Sequence, residues 1–79
     1  MNDRLNRYVE ITSRIKCGRR FCEFLESGGT VWDQPVGSSW RNVTAEAIER
    51  ERLTVERLER VRSRLYPDLI VKEVTIYNH

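Results

Sequence analysis

Apolar positions along the first third of the chain recur at alternating spacings of three and four: Tyr8, Ile11, Ile15, Gly18, Cys22 and Leu25. This is the seam of a packed α-helix, and it predicts a helix over residues 3–26, with Asn2 or Asp3 as cap and Ser27-Gly28-Gly29 as stop. Gly18 falls inside the seam. A glycine in a helix interior costs about 1 kcal/mol relative to alanine, so close approach of another backbone is expected at that point. Phe21 and Phe24 flank the seam and suggest a second contact surface on its C-terminal half.

A second helix is predicted over residues 45–66, with Thr44 as N-cap, Val43 and Ile48 at hydrophobic-staple spacing, and Pro67 ending it. Its expected apolar stripe is Ala47, Ile48, Val55, Leu58, Val61 and Leu65, interrupted by Glu51 and Thr54. The rest is laced with charge. Glu46 with Arg50 and Glu56 with Arg60 are four apart in the favourable order, each pair adding about 0.2 to 0.5 kcal/mol, as on a solvated face. Leu53 lies off the stripe among these charges, either as an ordinary exposed leucine or as one edge of an oligomer contact.

Period-two patterning appears at the end of the chain. Residues 69–77 (LIVKEVTIY) read as a strand with Ile70, Val74 and Ile76 on one face and Leu69, Val71 and Tyr77 on the other. Both faces are apolar, so this strand needs cover on both sides. The expected neighbour is a short strand at residues 30–33, inside the fifteen-residue connection from Gly28 to Asn42, before a turn through Pro35 to Ser39. If the two strands are neighbours, the second helix is a right-handed crossover between parallel strands. The expected fold is α+β, one small domain over residues 1–79, with two antiparallel helices on a two-stranded sheet in the order helix, strand, helix, strand. An isolated pair of strands is marginal in water, so completion by another copy or another protein enters the reading here.

Composition narrows the function classes. The chain has 79 residues, enough for one modest core, and its 14 Lys plus Arg against 12 Asp plus Glu leave a net charge of +2. That is a solubility balance. Lys16 and Lys72 are the lysines and every other cation is arginine, which favours planar contacts to carboxylate or phosphate but also follows genomic base composition. No apolar run is long enough for a membrane span, and nothing in the N-terminal MNDRLNRYVEI resembles an export signal, so a cytoplasmic location and reduced cysteines are expected. Cys17 and Cys22, five apart on a helix, point about 140° away from each other and suit neither a disulfide nor a shared metal.

Catalytic groups are scarce. The one histidine is the terminal His79, the carboxylates alternate with arginine at helical surface spacing, and the Ser27-Gly28-Gly29 segment lacks the lysine of a phosphate-binding loop. No enzyme activity, cofactor or metal is expected. Nucleic-acid binding has a better basis, because Lys16, Arg19 and Arg20 share a helix face and Arg41 stands beside Trp40. Glu23 and Glu26 follow on the same helix and weaken that footprint.

Trp32 and Trp40 carry the remaining weight. Trp32 reads first as a core plug between sheet and helices, and second as a partner contact. Trp40, in a Gly-Ser-Ser-Trp-Arg-Asn setting, is equally suited to the role of an exposed anchor, since Trp and Arg are enriched in binding hot spots. The expected function is a non-enzymatic protein-interaction module, a homodimer that docks on a larger protein as a regulator or inhibitor, with Trp32, Trp40, Arg41, Phe21, Phe24 and Leu53 as partner-binding residues. The alternative is a nucleic-acid-binding regulator using Lys16, Arg19 and Arg20. In size, lack of catalytic groups and mixed charged surface, the chain resembles small phage or mobile-element accessory proteins in general character, anti-CRISPR inhibitors among them, without sharing a motif with them.

Overall fold

The computed structural model describes residues 3–70. They form two helices, α1 (Asp3–Glu26) and α2 (Thr44–Leu65), joined by a ribbon of two short antiparallel strands, β1 (Trp32–Asp33) and β2 (Arg41–Asn42). The fold is mostly helical with one small sheet, and its order is helix, strand, strand, helix. The expected order fails at the strands. β1 pairs locally, Trp32 opposite Asn42 and Asp33 opposite Arg41, so among the described residues α2 joins no pair of parallel strands. Leu69 and Ile70, expected to open the terminal strand, lie in a helical turn in which Ile70 N–H donates to Tyr66 O at 3.2 Å. The remainder of that expected strand, 71–77, lies outside the described residues.

α1 ends as its glycines dictate. Gly28 N–H donates to Leu25 O and Gly29 N–H to Phe24 O, the paired bonds of a Schellman stop, and Gly28 holds a φ of 120° that side chains disfavour. The Phe24 ring lies over Gly29, where a β-carbon would come within 2.3 Å of it. The ribbon then turns at Pro35–Ser38. Ser38 N–H donates to Pro35 O, and Gly37 at φ 78° supplies the positive angle that such a turn needs.

The start of α2 differs from expectation. Val43, not Thr44, occupies the cap position and offers no side-chain bond. Asn42 Oδ1 accepts from Thr44 N–H at 2.9 Å and from Thr44 Oγ1 at 2.5 Å, while Thr44 Oγ1 accepts from Val31 N–H at 2.9 Å. The threonine hydroxyl therefore ties the ribbon to the helix instead of capping it. Val43 N–H completes the tie by donating to Val31 O.

The helices run antiparallel: Tyr8 meets Tyr66, Thr12 meets Arg62, Gly18 meets Val55, and Glu26 meets Arg52. The α1 seam is buried through Tyr8, Thr12, Ile15, Gly18, Cys22 and Leu25; Thr12, bonded to Arg62 of α2, takes the place expected for Ile11, which is only half-buried. Gly18 does permit a close approach, but from side chains: a β-carbon there would stand 2.5 Å from Val55 Cγ2 and 2.8 Å from Glu51 Oε1. α2 is rotated relative to its expected stripe. Ala47 and Val55 are buried, whereas Val61 and Leu65 are 41% and 51% exposed. In their place the seam takes Glu51, Glu59 and Arg62, each bonded across to α1, and buried Tyr66 beyond the helix end. Tyr8 and Tyr66 meet edge to face with centroids 5.9 Å apart, and Arg4 lies over the Tyr66 ring while pairing with Asp68.

Candidate interaction surface

The ribbon presents the aromatic residues. Its register sets Trp32 opposite Asn42, and strand alternation puts Trp40, two residues before Asn42, on the same side of the ribbon as Trp32. Both are open to solvent, Trp32 at 54% and Trp40 at 62% of their full exposure. Trp32 is thus no core plug. The core lies between α1 and α2, where Ile15 has the most deeply buried side chain, and neither tryptophan belongs to it. Trp32 Nε1–H is held by Thr30 Oγ1 at 3.2 Å, which anchors the ring's polar edge and leaves its face free.

Arg41 stands across the ribbon from Asp33, at a pairing position that brings opposite charges together. A groove between ribbon and helix is lined by Val31, Trp32, Asp33, Arg41, Glu46 and Arg50. It offers an aromatic wall, cations and carboxylates. Those are the elements of a protein contact that combines an apolar anchor with polar registration.

Phe21 is 40% exposed on α1, and Phe24 is exposed but committed to the helix stop over Gly29. Leu53 is exposed on the outer side of α2 among Glu49, Arg50 and Arg57. The structure therefore separates the expected contact residues into three places: Trp32, Trp40 and Arg41 on the ribbon, Phe21 and Phe24 on α1, and Leu53 behind α2.

The basic face of α1 is partly spent. Lys16, Arg19 and Arg20 are all exposed, and Arg19 pairs with Glu59 at 2.5 Å. Two further ion pairs cross between the helices, Arg14 to Glu51 at 2.5 Å and Arg52 to Glu26. Sequence reasoning missed these pairs because each partner lies on a different helix; the signal available was the presence of Glu51 and Glu59 at seam spacing from Val55.

Cys22 is buried beneath this layer and Cys17 is exposed. Burial pushes the Cys22 thiol above its ordinary range, and the negative charge of Glu51 adds to the shift. No grouping of His, Cys, Asp and Glu among the described residues has the arrangement of a metal site. No helix among them is long and apolar enough to cross a membrane. Compared with known proteins, the chain matches no protein-family model, no curated protein and no solved structure.

Proposed function

We propose that this protein is a non-enzymatic docking module whose β1–β2 ribbon engages a larger protein through Trp32, Trp40 and Arg41. The observation that carries the reading is the display of two tryptophans on a ribbon that is bonded firmly to α2 yet contributes neither ring to the core. Exposed tryptophan is costly to leave in water, at about 25 cal/mol per Å2 of apolar surface, and a partner's pocket recovers that cost. The rigid tie through Val31, Asn42 and Thr44 means that little order has to be gained on binding. A regulator or inhibitor acting by occupation of a partner's surface fits this design.

The test is affinity capture with the intact chain, run beside a Trp32→Ala, Trp40→Ala double variant checked for unchanged helical content. A discrete protein retained by the wild type and lost from the variant supports the reading. Retention that is equal for both chains contradicts it. Retention of nucleic acid that falls with salt and disappears in an Arg19→Ala, Arg20→Ala variant would replace it with the nucleic-acid reading.

A further inference from the structure

Arginine gathers on the outward face of α2. At about 100° per residue, Arg50, Leu53, Arg57, Arg60 and Arg64 fall within an arc of roughly 80° centred opposite buried Val55, and all five are exposed. Glu46 lies on the same line one turn before Arg50, but from Arg50 onward no carboxylate falls in the arc. Glu49 and Glu56 stand beside it. The ion pairs that join the helices, Arg14–Glu51, Arg19–Glu59 and Arg52–Glu26, all lie elsewhere, and the four stripe arginines have no ion pair among the described residues. Their spacing is unfavourable for a helix in isolation. Arg57 and Arg60 are three apart and Arg60 and Arg64 four apart, so like charges repel along the stripe, and only Arg64 sits in the last turn, where the helix dipole favours a cation. Between residues 57 and 64 four arginines stand against Glu59 alone, and Glu59 is already paired to Arg19.

We propose that this stripe binds duplex DNA by its phosphate backbone, with α2 lying across the major groove. The stripe runs about 21 Å from Arg50 to Arg64, longer than the roughly 12 Å width of that groove, so its two ends can each meet a phosphate rim. Arginine suits the contact, because its planar fork takes two oxygens of one phosphate, and α2 holds no lysine. A protein partner fits the stripe less well. Leu53 is the one apolar side chain in the arc, whereas a protein contact centres on a cluster of buried anchors. Single strands and RNA fit less well too: the stripe has no ring on which a base could stack, and the deep, narrow major groove of RNA admits no helix. Contacts to phosphate read no sequence, so the binding is expected to be sequence-independent and sensitive to salt. This contact is additional to ribbon docking. Arg57, Arg60 and Arg64 line no part of the groove beside Trp32, so either contact can fail without the other.

Fluorescence anisotropy of a labelled DNA duplex of about 20 base pairs, two helical turns, tests the proposal with the full chain. The wild type is expected to bind in the micromolar range at low salt, with a slope of log affinity against log salt of about −4 for four arginine contacts. An Arg57→Ala, Arg60→Ala, Arg64→Ala chain is expected to bind roughly tenfold more weakly or worse, and to lose about three from that slope, one for each phosphate contact removed. All three side chains are exposed and alanine favours helix, so circular dichroism should stay unchanged. Should the helical signal fall, Arg60→Gln, Arg64→Gln is the milder pair, expected to lower the slope by about two. An Arg19→Ala, Arg20→Ala chain and a Trp32→Ala, Trp40→Ala chain are each expected to bind within roughly twofold of the wild type. Absence of binding at about 50 mM salt overturns the proposal. So does a triple variant that binds like the wild type, or a single strand of the same sequence held as tightly as the duplex. Polyglutamate that competes as well as the duplex also overturns it, and gives the stripe to an acidic protein.

Discussion

Val55 Cγ2 stands 2.5 Å from the point that a β-carbon on Gly18 would occupy, closer than van der Waals contact permits. The approach of the helices at this level depends on the missing side chain. Alanine would gain about 1 kcal/mol in helix propensity, but overpacking a β-branched, buried neighbour costs roughly 1 to 3 kcal/mol. Val55 has few rotamers to retreat into, and Glu51 Oε1 crowds the same space. Gly18→Ala is therefore expected to lower stability by about 1 kcal/mol in urea denaturation, and Gly18→Val by more. A stabilised alanine variant would show that the helices can separate there at little cost.

Arg62 and Thr12 form a polar bond within an otherwise apolar part of the seam, with Arg62 Nη1 donating to Thr12 Oγ1 at 3.2 Å. Arg62 Nε is buried without a hydrogen-bond partner among the described residues. Thr12→Val alone leaves a second guanidinium donor unmatched, and is expected to cost about 1 to 3 kcal/mol. Combining Thr12→Val with Arg62→Met removes the whole polar requirement and should recover most of that loss or exceed the wild type. Denaturation of the two singles and the double measures the coupling; additive losses would contradict it.

The two cysteines should react at very different rates. Cys17 is exposed and Cys22 buried, so a thiol reagent is expected to label Cys17 at once and Cys22 only as fast as the helices open. The pH dependence follows from the raised Cys22 pKa. The unfolded thiol loses its proton at lower pH than the folded one, so the stability linked to this group is fully present below the ordinary thiol range. It is lost as pH rises through that range. Cys22→Ala should flatten this alkaline loss, and an unchanged slope in stability from neutral to alkaline pH would assign it elsewhere.

Much of this arrangement can be read from the chain before folding. The three-and-four spacing from Tyr8 to Leu25 sets α1 and its seam, and Ser27-Gly28-Gly29 sets its end, because those signals act within a few residues of one another. The rotation of α2 could not be read that way. Glu51, Glu59 and Arg62 look like solvated residues on an isolated helix, and they enter the seam only because Arg14, Arg19 and Thr12 wait on α1. The ribbon was obscured for another reason. Arg41 and Asn42 have weak strand preference, and their pairing is imposed by the Pro35–Ser38 turn and the Thr44 hydroxyl, so the apolar pattern pointed to the terminal segment instead. A sheet lying on the helices would have buried Trp32, whereas a local ribbon leaves it outside a core formed by the helices.

The fluorescence of Trp32 and Trp40 tests the central claim, that the ribbon holds both rings free for a partner while the helices stay folded. In the native protein the emission maximum should match that of the urea-unfolded chain closely, with both rings accessible to a neutral quencher, while circular dichroism still reports full helix content. A native emission shifted to the blue and shielded from quencher would contradict the account, placing the tryptophans inside the protein's own core or an interface between copies.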